Sequence, residues 1–275
     1  MGPAERVRRA AAVACAAALA AAAGPVPPPG IAGAALPLVH SSLRSAFAAR
    51  GVPVLMYHRV DLRLSAHDPI TVHLTVMAPA FETQLRLLRD AGYRSMTLDA
   101  LRTAIDRRAP LPARRIVLTF DDGYEDNYTV AFPLLRRYGF TGTFFVVTST
   151  IGTRDHLTAA QLREMARAGM EIESHGVHHI DFSRLPPAEA RSELARSRKT
   201  IEAWTGRPVA YFAYPAGRSN AGLERILEDL GYRGAVTERP GFVSPGSLPY
   251  LLERVRIDHD DTAESFARRL GLPPR

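Results

Sequence analysis

Ile116-Val117-Leu118-Thr119-Phe120-Asp121-Asp122-Gly123-Tyr124 is an apolar, β-branched run that ends abruptly in two carboxylates and a glycine. The run reads as a buried strand that delivers Asp121 and Asp122 to the rim of a sheet. Successive strand residues point to opposite faces, so the two carboxylates need not share a role. One can bind a metal while the other handles a proton. The competing reading is a plain Asp-Asp-Gly turn, because both residue types favour turns.

On either side, strand and helix patterns alternate. Strands are predicted over 52–58, 115–120, 143–147, 170–174, 209–214 and 234–237. Helices are predicted over 79–91, 98–107, 130–138, 158–168, 187–205, 223–230 and 262–270. Phe81, Leu85 and Leu88 show helical spacing, Thr158 suits an N-cap, and Gly92, Gly139, Gly169, Gly206 and Gly231 stop helices. This β-then-α rhythm implies a parallel sheet covered by helices, and the strand count suits an α/β fold of the deformed or incomplete barrel type. Catalytic residues of such folds gather at the strand C-termini, where the Asp pair falls.

Three further segments end strands with chemistry-bearing residues. In Glu171-Ile172-Glu173-Ser174-His175-Gly176-Val177-His178-His179, the spacing of His175 and His179 puts both rings on one face of a helical turn. Two imidazoles and a carboxylate make a zinc-type set with positions left open, and His178 is an alternative ligand. Tyr211-Phe212-Ala213-Tyr214-Pro215-Ala216-Gly217-Arg218 reads as a pocket-lining loop whose backbone N–H groups can bind an oxyanion. Pro53-Val54-Leu55-Met56-Tyr57-His58-Arg59-Val60 ends in a Tyr-His-Arg triplet, where His58 alone reads as a structural rim residue.

The N-terminus has a different character. Arg6, Arg8 and Arg9 precede an Ala-rich stretch over 10–23, and small residues follow at 21–24. Residues 1–24 read as an export signal, with an uncleaved anchor as the alternative and membrane or cell-wall association as its consequence. Residues 25–50, rich in Pro, Gly and Ala, read as a linker, and 51–275 as the folded domain. The single cysteine, Cys15, excludes an intramolecular disulfide. The formal net charge of +7 comes almost wholly from arginine, with no basic cluster among regularly placed aromatics, so a nucleic-acid partner is not expected. The absence of His-Glu-x-x-His disfavours a zinc protease.

The order Thr119-Phe120-Asp121-Asp122-Gly123, Ser174-His175-x-x-x-His179, Tyr214-Pro215-x-Gly217 resembles the polysaccharide deacetylase family with the NodB homology domain, carbohydrate esterase family 4. The resemblance covers residues 51 to 270. The Tyr57-His58 segment is similar to that of exported deacetylases acting on poly-N-acetylglucosamine, in which a terminal motif has moved to the front of the domain.

The resemblance implies a deformed β/α barrel of the NodB homology type with one divalent metal, zinc being expected. It implies Asp122, His175 and His179 as the metal triad, Asp121 as general base and His58 as general acid. It also places the Ala216 N–H, beside Tyr214, at the oxyanion and substrate position. The implied substrate is an acetylated polysaccharide of N-acetylhexosamine units (poly-N-acetylglucosamine, peptidoglycan or chitin-like) at the cell envelope. The rival activities are O-acetyl ester hydrolysis on xylan or another glycan, and non-catalytic glycan binding. Ala213 and Ala216 stand where many members carry an arginine and a tyrosine, which would leave Asp121 without its usual partner. Arg254, in Leu252-Glu253-Arg254-Val255-Arg256, is the expected replacement from a later strand; a solvated surface arginine is the alternative. The usual C-terminal Leu-x-His motif is absent, which strengthens the case for His58 over His259.

Overall fold

A computed structural model describes residues 51–64 and 68–272. The expected export segment and linker lie outside the described residues. Among the described residues no helix is long and apolar enough to cross a membrane.

Seven parallel strands close on themselves. Labelled in chain order, they are β1 (Val54–Tyr57), β5 (Arg115–Phe120), β6 (Thr143–Val146), β7 (Glu171–Ser174), β8 (Tyr211–Ala213), β9 (Gly234–Pro240) and β10 (Leu252–Arg256). The spatial order is β1-β10-β9-β8-β7-β6-β5, and β5 pairs back onto β1 through Val54↔Val117 to Tyr57↔Phe120. A two-residue strand, β4 (Arg94–Ser95), adds to β5. The expected incomplete barrel is thus closed with seven strands. Its weakest seam joins β7 and β8 through the single register pair Ser174↔Phe212. There the buried Glu173 carboxylate accepts from the N–H groups of Ala210 (2.8 Å) and Tyr211 (2.7 Å), a side chain standing in for missing ladder bonds.

Strand alternation sorts the side chains into two layers. Val54, Val117, Phe145, Tyr211, Ala213, Val236 and Leu252 fill the barrel interior. Leu55, Tyr57, Leu118, Phe120, Phe144, Phe212 and Ala235 face the helices. These are α2 (Ala78–Asp90), α3 (Leu98–Asp106), α4 (Phe132–Tyr138), α5 (Ala159–Arg167), α6 (Pro187–Thr205), α7 (Ala221–Asp229) and α8 (Ala263–Leu270). The predicted elements all form, with ends displaced by at most three residues. The expected Thr158 cap is a full capping box, in which Thr158 Oγ1 accepts from Gln161 N (3.3 Å) and Gln161 Oε1 from Thr158 N (2.7 Å). Gly139 and Gly206 end α4 and α6 in the left-handed conformation, with φ of 73° and 67°.

The differences lie where pairing is short-range or irregular. The sequence reading missed a parallel pair of three-residue strands, β2 (Arg59–Asp61) and β3 (Thr75–Met77), with a short helix α1 (Pro69–Leu74) between them. Three residues are too few to show a periodicity. The helix expected over 130–138 begins as a π-helical turn, Asn127–Ala131, before α4.

The outer core centres on an aromatic column behind β5. Phe120 stacks on Tyr57 (5.3 Å between centroids) and on Phe144 (4.7 Å), with Phe81 edge-on to Tyr57 and Phe120. The Tyr57 hydroxyl donates to Gln84 Oε1 at 2.9 Å. Phe120→Ala is expected to lower unfolding free energy by about 3–5 kcal/mol in a denaturant titration, from lost transfer energy plus the cavity left behind.

Candidate metal and hydrolytic centre

The site is assembled at the strand C-termini. Thr119 and Asp121 continue the inward face set by Val117, and the Asp121 N–H donates to Tyr57 O at 3.0 Å. By strand alternation Asp122 would face the helix layer. Instead it takes a left-handed φ of +74°, followed by Gly123 at +75°, and turns over the rim. Asp tolerates this conformation better than most residues.

The Asp122 Oδ1 atom is buried and accepts no hydrogen bond among the described residues. His175 Nε2 approaches it at 3.4 Å and His179 Nε2 at 3.6 Å. One donor atom from each of Asp122, His175 and His179 lies within 4.8 Å of the others. His175 Nδ1 is engaged with Ala213 O at 2.7 Å, which makes Nδ1 the protonated nitrogen and leaves the Nε2 lone pair facing Asp122. Burial pushes the Asp122 carboxyl up, but the positive charge that His175, His58 and His179 bring near it outweighs this and holds it far below the usual range. Converging lone pairs around an unsatisfied carboxylate oxygen fit a divalent cation.

The expected helical turn across 175–179 does not form. The segment is an irregular loop with Gly176 at φ +95°, where a Cβ would meet the Phe182 ring at 2.7 Å. The two rings nevertheless sit 5.0 Å apart. The same loop turns His178 away: its N–H and Nδ1 both meet the Glu193 carboxylate, at 3.0 and 3.1 Å. His178 is not part of the cluster.

Arg254 is buried inside the barrel, with 1% of its surface exposed, and is no solvated arginine. Its Nη1 and Nη2 donate to Asp121 Oδ1 and Oδ2, both at 2.8 Å. Nη1 also reaches Thr119 Oγ1 (3.1 Å), and Nε donates to Thr237 O (2.9 Å). Burial alone would raise the Asp121 carboxyl; the charge and paired hydrogen bonds of Arg254 outweigh it and hold Asp121 below its usual range.

His58 follows β1 and is buried. Burial lowers its ring pKa from the usual value; Asp121 and Asp122 oppose this, and Arg254 and Arg256 add to it. The ring therefore lies in the field of both carboxylates. Ala216 sits in a tight turn with φ +54°, an uncommon conformation for a residue with a Cβ. Tyr214 departs from expectation: its side chain packs in the outer core, 5.4 Å from the Phe212 ring, rather than into the site. Strand alternation explains this, since Ala213 faces inward. His259 engages the backbone of Thr75 and His73.

Two features were not anticipated. Arg256 is tied to Glu238 (3.0 Å) and Asp258 (2.8 Å) and acts electrostatically on His58 and Asp121. The two-residue period of β10 already put it on the face of Arg254. Tyr124 lies under the Arg59 guanidinium, 4.4 Å from its ring centroid, and stacks with His156. Nothing local in the sequence signals those long-range partners.

Together these features define a (β/α)7 barrel carrying a carboxylate–histidine centre of hydrolytic type. The chain belongs to the polysaccharide deacetylase family and is a hydrolase of that kind: residues 108–235 match the family's model, described as polysaccharide deacetylase. Bacillus subtilis YxkH, assigned to the same class, is 34% identical over 215 residues, covering 78% of this chain and 74% of YxkH. The poly-beta-1,6-N-acetyl-D-glucosamine N-deacetylase of Staphylococcus aureus is 25% identical, covering 71% of each chain. Among solved structures, the Streptococcus pyogenes deacetylase PplD, bound to acetate, superposes with a TM-score of 0.75 at 30% identity, over 80% of this chain and 97% of PplD. IcaB from Ammonifex degensii gives 0.71 at 26%, over 80% and 97%.

Two outcomes follow from the buried pair. Arg254→Leu is expected to destabilise the fold by about 3–5 kcal/mol in denaturant unfolding, because it strands a buried carboxylate, while Arg254→Lys loses less. The folded pKa of Asp121 lies below its unfolded value near 3.8, so the pair's contribution is full above that pH and is lost as pH falls through the folded value. Acid unfolding of Asp121→Asn should therefore show a shallower pH dependence below about 3.8 than the parent.

Proposed function

We propose that the protein is a zinc-dependent N-deacetylase of an N-acetylhexosamine polysaccharide, with poly-N-acetylglucosamine the leading substrate and peptidoglycan or a chitin-like polymer next. One observation carries the reading. A cation-shaped cluster, Asp122–His175–His179, stands beside a separate carboxylate, Asp121, that Arg254 keeps ionised. The named activity of the Staphylococcus aureus relative supports the substrate class.

Two imidazoles and one carboxylate are a zinc-type donor set with room for other ligands. Asp122, His175 and His179 would hold a zinc ion, which would supply Lewis acidity towards the acetyl carbonyl and a lowered pKa, towards ~7, for water. Asp121 takes a proton from the attacking water, and the Arg254 fork keeps both of its oxygens in place as it does so. The Ala216 N–H donates to the oxyanion of the tetrahedral species. His58 gives a proton to the departing nitrogen as the carbon–nitrogen bond breaks. One water is consumed, and acetate and a free amine are released. Export through residues 1–24 would bring the enzyme to an envelope polymer; this segment lies outside the described residues.

The test is acetate release from N-acetylglucosamine oligomers. Dialysis against a chelator should abolish it, and added Zn²⁺ should restore it. Asp121→Asn and His58→Ala should each lower kcat by about 10²–10⁴-fold while zinc remains bound. Release from O-acetylated but not N-acetylated oligomers would overturn the amide assignment. Zinc binding without acetate release from either would leave a glycan-binding domain.

A further inference from the structure

The turn that carries Asp121 and Asp122 continues into two buried polar residues that the mechanism above does not use. Asp126 is 5% exposed and Asn127 fully buried. Both reach across to the segment that follows β1. Asn127 Nδ2 donates to His58 O at 2.8 Å. Asp126 Oδ2 accepts from Arg59 Nε at 2.9 Å, and its Oδ1 accepts from Val60 N at 3.0 Å. Asn127 Nδ2 also donates to Asp126 Oδ1 at 2.9 Å, which links the two side chains. Three consecutive residues, His58, Arg59 and Val60, are thus gripped by two consecutive residues some 66 to 69 positions later.

The location and the form of the contact both matter. The gripping residues lie four and five positions after Asp122, on the same turn, so the His58 backbone is referenced to the carboxylates. Asn127 opens the π-helical turn, an uncommon form that recurs at functional sites. Its Oδ1 is buried without a hydrogen-bond partner among the described residues, an arrangement that stability alone disfavours. Arg59, held by Asp126, lies over the Tyr124 ring at 4.4 Å, which ties the middle of the turn to the same segment.

From this geometry we infer that Asp126 and Asn127 are positioning residues for His58, a clamp that sets the proton donor against the carboxylate pair. The inference rests on the reading of His58 as the acid. Both side chains are buried, so the role inferred for them is to act through His58. A displacement of about 1 Å in such a group costs on the order of 10²-fold in rate.

A leaving-group comparison separates positioning from plain structural support. Amide cleavage needs a proton on the departing nitrogen; 4-nitrophenyl acetate releases a phenolate that does not. Asp126→Asn and the milder Asn127→Ser would be loaded with zinc and assayed on both an N-acetylglucosamine oligomer and 4-nitrophenyl acetate, with His58→Ala as the reference. The clamp predicts that at least one variant loses amide kcat by about 10- to 100-fold with KM near the parent value and ester hydrolysis within about 3-fold, as His58→Ala does more severely. Equal loss on both substrates in both variants, or no loss in either, overturns the clamp if His58→Ala is itself amide-selective. If His58→Ala loses both activities equally, the acid assignment fails first and takes the clamp with it.

Discussion

The buried ion pair between Asp121 and Arg254 is the constraint around which the centre is arranged. A guanidinium inside a seven-stranded barrel carries a heavy desolvation penalty, and it is tolerated because its donors are matched. Two go to the Asp121 carboxylate, one to Thr119 and one to Thr237 O. The pair joins β10 to the end of β5 across the barrel interior, two strands that are separated by β1 in the sheet. It also keeps a carboxylate ionised next to a second one. That proximity would otherwise push one of the two towards protonation.

The different settings of the adjacent carboxylates follow from backbone geometry. Asp121 inherits the inward direction of β5. Asp122 leaves it through a left-handed turn and meets histidines presented by the loop after β7. Each histidine is in turn disposed by its own surroundings, His175 by Ala213 O and His178 by Glu193 on α6. The selection of His179 over His178 is therefore a property of the loop and of the helix beside it. Spacing on a helical turn does not produce it, since no such turn exists here.

Much of the fold was legible because its strands are buried on both faces and its helices are amphipathic, patterns that survive in local sequence. The barrel's parallel order followed from the β-then-α rhythm, the gathering of carboxylates and histidines from residue types at strand ends, and the choice of Asp122, His175 and His179 from the family resemblance. Short elements such as β2 and β3 carry too few residues to show a period. Tyr214 was misplaced because a motif match does not report side-chain direction; Ala213 faces inward, so its neighbour must face out. The Asp126–Asn127 contact with His58 was invisible for a different reason. Its two halves lie almost seventy positions apart, and neither is unusual on its own.

The sequence by itself determined the alternation of strand and helix, the carboxylate pair at the end of β5 and the histidines after β7, because hydrophobic period and turn chemistry are local. Only the tertiary structure decided that the barrel closes with seven strands, that Arg254 rather than solvent faces Asp121, and that His178 turns away. Those outcomes depend on distances between residues remote in the chain. Burial then selects among side chains that local sequence leaves equivalent.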